Sequence, residues 1–354
     1  MPEQTGIHAR LARYRACYSN PAPGGLLIVA HFPGLNDLVK VDLRDFDFDR
    51  ESEHRRYWDI VVENMFLSIE NHRRIDDDWI PGLVLHYGFG AFGAVYCDAQ
   101  VTFTENTSYL DRGVANWDPA ELPLYRKDRF WARIFVEAGR YLSAKGNGQF
   151  MVSPYPNPSP LDVANLLRGN DVFTDVYEQP EALKAFLEKA TPAIIEHARA
   201  VEAALDPPWG GVLTFGGWIP KGLVLLEDAA DLCSPSVYEE FGRPYTQTVI
   251  DAMGGGYIHH HSLGRQQYRA MATLSGLHVL QISSDPNATR PIQELDYLWG
   301  EVGHTMVELE CEPNEICEHI QELKKGRAML VADCKNRDEA EELVAFVRSN
   351  STVF

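Results

Sequence analysis

No CxxC pair occurs among the six cysteines, Cys17, Cys97, Cys233, Cys311, Cys317 and Cys334. Zinc ribbons, ferredoxin-type clusters and disulfide scaffolds all need closely spaced cysteines, so none of them fits. Scattered thiols read as reduced, and a cytoplasmic setting is the expectation. No apolar run approaches the roughly 20 residues that span a bilayer. The start, Met1 to Gly6, has no basic segment followed by an apolar one, so neither a membrane partner nor a secretory leader is expected. Positive charge is scarce: 32 Lys and Arg stand against 51 Asp and Glu, a formal net charge of −19. Such a chain repels phosphate backbones, which argues against a nucleic-acid partner.

What is present is an alternation. Strand candidates lie at Leu26–His31, Gly82–Tyr87, Gln149–Ser153, Gly211–Phe215, Tyr257–His261, Leu277–Ser283, Thr305–Glu310 and Ala328–Asp333. Helical patterns fall between them, near 51–74, 124–145, 179–204, 265–274, 291–300 and 313–325, with a last one near 337–349. Strands alternating with helices imply parallel pairing with helical crossovers. Eight strands in 354 residues match an α/β fold of the TIM (β/α)8 barrel type, as a single domain over residues 1–354. Residues 1–25 form an N-terminal extension in this reading, and residues 88–124 an insertion or lid. An open doubly wound sheet is the alternative, but Pro33-Gly34-Leu35-Asn36 lacks its GxGxxG spacing.

A barrel builds its active site at the C-terminal ends of its strands. Those ends supply His31, Tyr87, Tyr155, Trp218, Glu227 and Asp228, then His259, His261, Asp285, Glu310 and Cys334. The run His259-His260-His261 closes the fifth strand candidate. Because side chains alternate along a strand, His259 and His261 share one face and His260 takes the other. His261, at the strand's end, is the favoured catalytic and metal-binding residue, with His259 as its helper. Cys334 and Glu310 are further candidate metal ligands, since sulfur, imidazole and carboxylate all suit zinc. A small buried thiol is the competing reading of Cys334. Asp285 and Glu310 are candidate acid–base groups, while Arg265 and Arg290 could grip a carboxylate or phosphate. Ser234 and Pro235 read as the N-cap and first residue of a helix.

Over about residues 160–350 the chain resembles the uroporphyrinogen decarboxylase superfamily, which includes cobamide-dependent methyltransferases. The segment Glu227-Asp228 through Ser234-Pro235 to Phe241 and Pro244-Tyr245 looks like that family's acidic loop, Ser-Pro, Phe and Pro-Tyr pattern. His261-Ser262-Leu263-Gly264 is similar to the methyltransferase His-x-Cys-Gly segment, and Leu161-Asp162, Leu167-Arg168-Gly169, Asp175 and Pro180-Glu181 add to the likeness. The resemblance implies a TIM barrel acting on a small-molecule substrate. It also implies a zinc ion with His261 and Cys334 among its ligands, a corrinoid as co-substrate and a corrinoid carrier protein as partner. Two departures stand out. No Arg-Gln-Ala-Gly-Arg-Tyr motif follows Leu26–His31, and Leu263 holds the position of the middle zinc cysteine. The leading expectation is therefore a divergent methyltransferase with a metal-activated acceptor. A metal-free decarboxylase or lyase for a carboxylated, porphyrinogen-like substrate and a non-enzymatic tetrapyrrole- or partner-binding barrel are the alternatives. A homodimer is the assembly to test.

Overall fold

A computed structural model of the protein describes residues 2–32, 38–111, 113–118 and 125–352. The expected insertion at 88–124 therefore lies partly outside the described residues, and the segment Pro33-Gly34-Leu35-Asn36 lies wholly outside them.

Among the described residues, eight strands of three or more residues pair in parallel: β1 (Leu26–His31), β2 (Gly82–Val84), β3 (Met151–Ser153), β4 (Leu223–Leu226), β5 (Gly256–His261), β6 (Leu277–Ser283), β7 (Met306–Cys311) and β8 (Ala328–Asp333). Six of them run in the order β1-β8-β7-β6-β5-β4 in a seven-stranded parallel sheet, whose last member is the short segment Asn157–Pro158. β2 and β3 pair separately, also in parallel. Helices connect the strands and cover the sheet. Where the sequence signals caps, the caps form: Ser234 accepts the Val237 N–H ahead of helix Pro235–Phe241, and Glu312 and Glu315 make a reciprocal capping box on Pro313–Leu323.

Two apolar clusters follow the period-2 alternation of the strands. Leu26, Ile28, Ala30, Leu330 and Ala332 pack against the helices. Leu27, Met329, Met306, Val279, Tyr257 and Val224 point the other way, into a second cluster. That second cluster is capped by the N-terminal helix Pro2–Ser19, through Ile7, Leu11, Tyr14 and Cys17. The segment read as an extension is thus a helix with a packed face. The spacing Ile7, Leu11, Tyr14, Tyr18 carried that signal.

The same helix serves the free edge of β1. The Asp78 and Asp77 carboxylates accept the Ile28 and Ala30 N–H groups at 2.9 and 3.0 Å, and the Asp78 N–H donates to Ile28 O at 2.7 Å. Arg13 of the helix pairs with Asp78, and Arg10 holds the backbone carbonyls of Ile75, Asp77 and Trp79. Two acidic side chains and one backbone amide stand where a neighbouring strand would supply the ladder.

One strand expectation is corrected. Val212–Leu213 does not enter the main sheet; it turns back at Phe215-Gly216-Gly217 and pairs antiparallel with Trp218–Ile219. The strand in that place is β4, further along the chain. The apolar run Gly211–Phe215 has strand character, but its glycine tip is a hairpin turn that reaches the inner face of the sheet. A Cβ on Gly216 would collide with the Glu308 carboxylate.

Candidate functional site

β5 ends in Tyr257-Ile258-His259-His260-His261, and its alternation decides which histidines meet. His259 and His261 point to the inner face, with their Nε2 atoms 3.1 Å apart. His260 points to the helices, fully buried, with its ring nitrogens 3.2 Å from Glu227 O and 2.9 Å from Gly264 O.

Each inner imidazole is held from behind. His261 Nδ1 donates to Asp285 Oδ1 at 3.0 Å, and His259 Nδ1 faces Gln281 Oε1 at 2.6 Å. An acceptor at each Nδ1 keeps the proton there, so both Nε2 lone pairs face one another. Asp228 Oδ1 lies 3.6 Å from both Nε2 atoms and is buried without a hydrogen-bond partner. Three electron-rich atoms in a triangle repel unless a proton or a cation sits among them.

Asp285 is itself fixed. Its Oδ2 accepts the Leu263 N–H at 2.9 Å and the Ser262 hydroxyl at 3.2 Å, and its own N–H donates to Ser262 Oγ at 3.0 Å. Leu263 therefore contributes a backbone N–H to the site, while its side chain is 58% exposed. Behind Asp228 stand further acids. Asp162 accepts the Asp228 and Ala229 N–H groups at 3.1 and 2.7 Å, and Glu227 accepts Thr246 Oγ1 at 3.0 Å. Burial first, then like charge, pushes Asp162 far above the usual carboxylate range. Burial likewise raises Glu227 and Asp231 to about 8. The cluster is rich in acid, and a cation placed beside it would favour the ionised forms that burial disfavours.

Among the described residues, two groups of three donors each have their ligand atoms within 4.8 Å of one another: Asp228, His259 and His261, and Asp231, His261 and Asp285. In a tetrahedral zinc site, bonds of 2.0–2.2 Å separate neighbouring donors by roughly 3.3–3.6 Å. The first group's separations of 3.1, 3.6 and 3.6 Å bracket that range. The family-type set is not assembled. Cys334 shares the parity of Leu330 and Ala332, so its thiol sits in the helix-side core, where burial raises it to about 12. Glu310 joins neither donor group; it lines the neighbouring cleft. The third donor is Asp228, read from sequence as a substrate contact, and sequence reasoning missed Asp231 and Gln281. Gln281 was findable, because it sits beside His259 in register on β6.

Beside this triangle a cleft of about 440 Å³ is lined by His31, Arg290, Glu308, Glu310 and Asp333, among others. Tyr87, Tyr155, Trp218, Glu227 and Arg265, read from sequence as substrate contacts, do not line it. Tyr87 shares its parity with Leu83 and Leu85 and is buried among helices, its hydroxyl bonded to Trp58 and His54. Tyr155 is stacked on buried His197. Trp218 lies under the N-terminal helix against Tyr14. Glu227 is fully buried behind Asp228. Both arginines are paired, Arg265 with Glu294 and Arg290 with Glu315, each at 2.8 Å.

Glu308 has no such partner. It is 1% exposed, and burial raises it to about 8, with the Glu310 charge adding and the Tyr257 and Gly216 groups opposing. A carboxyl whose folded pKa exceeds its unfolded one stabilises the fold at low pH and loses that contribution as pH rises through the folded value. Glu308→Gln is expected to match wild type in stability near pH 4.5. It should become progressively the more stable protein toward pH 8.5, by up to ~1.4 kcal/mol per pH unit; urea titrations at several pH values check this. Asp285→Asn keeps the shape but removes the charge behind His261. It should weaken divalent-metal affinity by about 10–100-fold, read by titration against a chromogenic chelator.

No family model matches the chain, and no curated protein matches its sequence. Among solved structures it is similar to a methyltransferase from Methanosarcina mazei, with a TM-score of 0.63 and 16% identity over 97% of this chain and 98% of that one. At that identity the likeness speaks for a shared fold.

Proposed function

We propose that the chain is a metal-dependent methyltransferase on a (β/α)8 barrel, with the metal held by Asp228, His259 and His261. The barrel reading is supported by the run of parallel strands and by the inner and outer apolar clusters on its two faces. The observation that carries the metal is the triangle of two imidazole nitrogens and a buried, unpartnered carboxylate oxygen at 3.1–3.6 Å. A divalent ion there supplies Lewis acidity that favours the thiolate form of a thiol acceptor. The chain's own residues do the rest. Asp285 and Gln281 orient the two imidazoles, and the clamp from Ser262 and Leu263 keeps Asp285 in place. The adjoining cleft, of about 440 Å³, takes a small substrate, and a corrinoid donor would be presented from outside by its carrier protein. The methyltransferase-like fold supports methyl transfer as the reaction class.

Protein purified without chelator should carry close to one divalent ion per chain by elemental analysis. It should also transfer methyl from methylcobalamin to a thiol, and both properties should fall in Asp228→Asn. A protein that takes up no metal in titration, or one fully active without it, would overturn the proposal.

A further inference from the structure

We propose that the cleft beside the histidine pair binds an organic cation of the alkylammonium class, its charged end seated on Glu308. Binding stands on the cleft itself; only the use made of the bound cation rests on the functional reading above.

The ionisable groups on the cleft are His31, Arg290, Glu308, Glu310, Glu312 and Asp333. Arg290 is answered already, by Glu315 at 2.8 Å and by Glu310 O at 3.1 Å. Burial lowers His31, which favours its neutral form. Four acids remain. One of them, Glu308, is buried at the inner wall, with Oε2 lacking any hydrogen-bond partner. The Tyr257 hydroxyl and the Gly216 N–H approach this carboxyl, yet a buried carboxyl oxygen left without a donor of its own is costly unless a ligand supplies one. Folding leaves it there because β7 must place residue 308 on the inner face, in parity with Met306.

The ligand is not a bare metal ion. Among the described residues these carboxylates form no group of three donors within 4.8 Å, so no three of them close together on one bare ion. Glu308 and Glu310 are two residues apart on one strand face, roughly 6–7 Å along the strand, a span suited to a chain carrying charge at both ends. The cleft also has an apolar side. Phe215 is 39% exposed at the hairpin tip, and with Val331 it offers methylene contact and an aromatic face for a cation.

The test is calorimetric titration with 1,4-diaminobutane at pH 7 and low salt, in two buffers of different ionisation enthalpy, with butanoate as the anionic control. Wild-type protein should bind one diamine and release protons as Glu308 ionises. Glu308→Gln should bind at least ~10-fold more weakly and lose that proton release, and butanoate should not bind. Absence of diamine binding, equal binding of butanoate, or undiminished binding by Glu308→Gln would overturn the inference. Metal content measured on the same samples separates the two proposals. Bound metal without diamine binding overturns this inference alone; diamine binding by a chain that takes up no metal overturns the functional reading alone.

Discussion

His261→Ala is expected to weaken divalent-metal binding by more than ~100-fold and to abolish methyl transfer, with the fold retained. The side chain is 27% exposed, so its removal leaves little cavity, whereas the donor triangle loses a corner. The expected loss exceeds the 10–100-fold typical of a residue that only orients a ligand, because His261 supplies a donor atom. Co²⁺ titration followed through its visible absorption reads the result, and circular dichroism verifies the fold. His259→Ala should behave alike. His260→Ala, one residue away, should do the opposite: metal uptake persists, and stability falls by about 1–3 kcal/mol as the imidazole that lies between the backbone carbonyls of Glu227 and Gly264, and donates to one of them, is lost. Equal metal loss in all three variants would remove the case for an inner-face site.

Asp78→Ala should produce the largest loss of stability, about 3–5 kcal/mol in urea unfolding. The variant strips the Ile28 N–H of its acceptor in the centre of β1 and breaks the buried pair with Arg13. Asp78→Asn keeps an acceptor for the N–H and should lose noticeably less. An Asp78→Ala protein as stable as wild type would mean that this edge needs no acceptor, and the N-terminal helix would then be a passive cover.

Much of the fold was legible because strand and helix periods are local. Leu26–His31, Leu277–Ser283 and Ala328–Asp333 occupy the expected residues, and Ser234-Pro235 starts its helix as the cap chemistry requires. Gly211–Phe215 was misplaced because a short apolar run looks the same in a hairpin as in a central strand; only pairing separates them. Tyr87, Tyr155 and Trp218 were taken for site residues because a strand end was assumed to point inward, yet each turns toward a packed core.

The site divides along the same line. By itself the sequence determined that His259 and His261 share a face and His260 does not, since a strand's two-residue period admits no other arrangement. It also placed Asp285 at the end of the adjoining strand. Tertiary structure alone decided the third member of the triangle. Asp228 on the β4 loop and Gln281 on β6 flank β5 from opposite sides, and no local rule reports which neighbours a strand acquires. The same packing withdrew Cys334 into the helix-side core and left one carboxyl oxygen of Glu308, Oε2, buried without a partner. Parity is a property of the chain; partners belong to the fold, because they are set by which strands lie side by side.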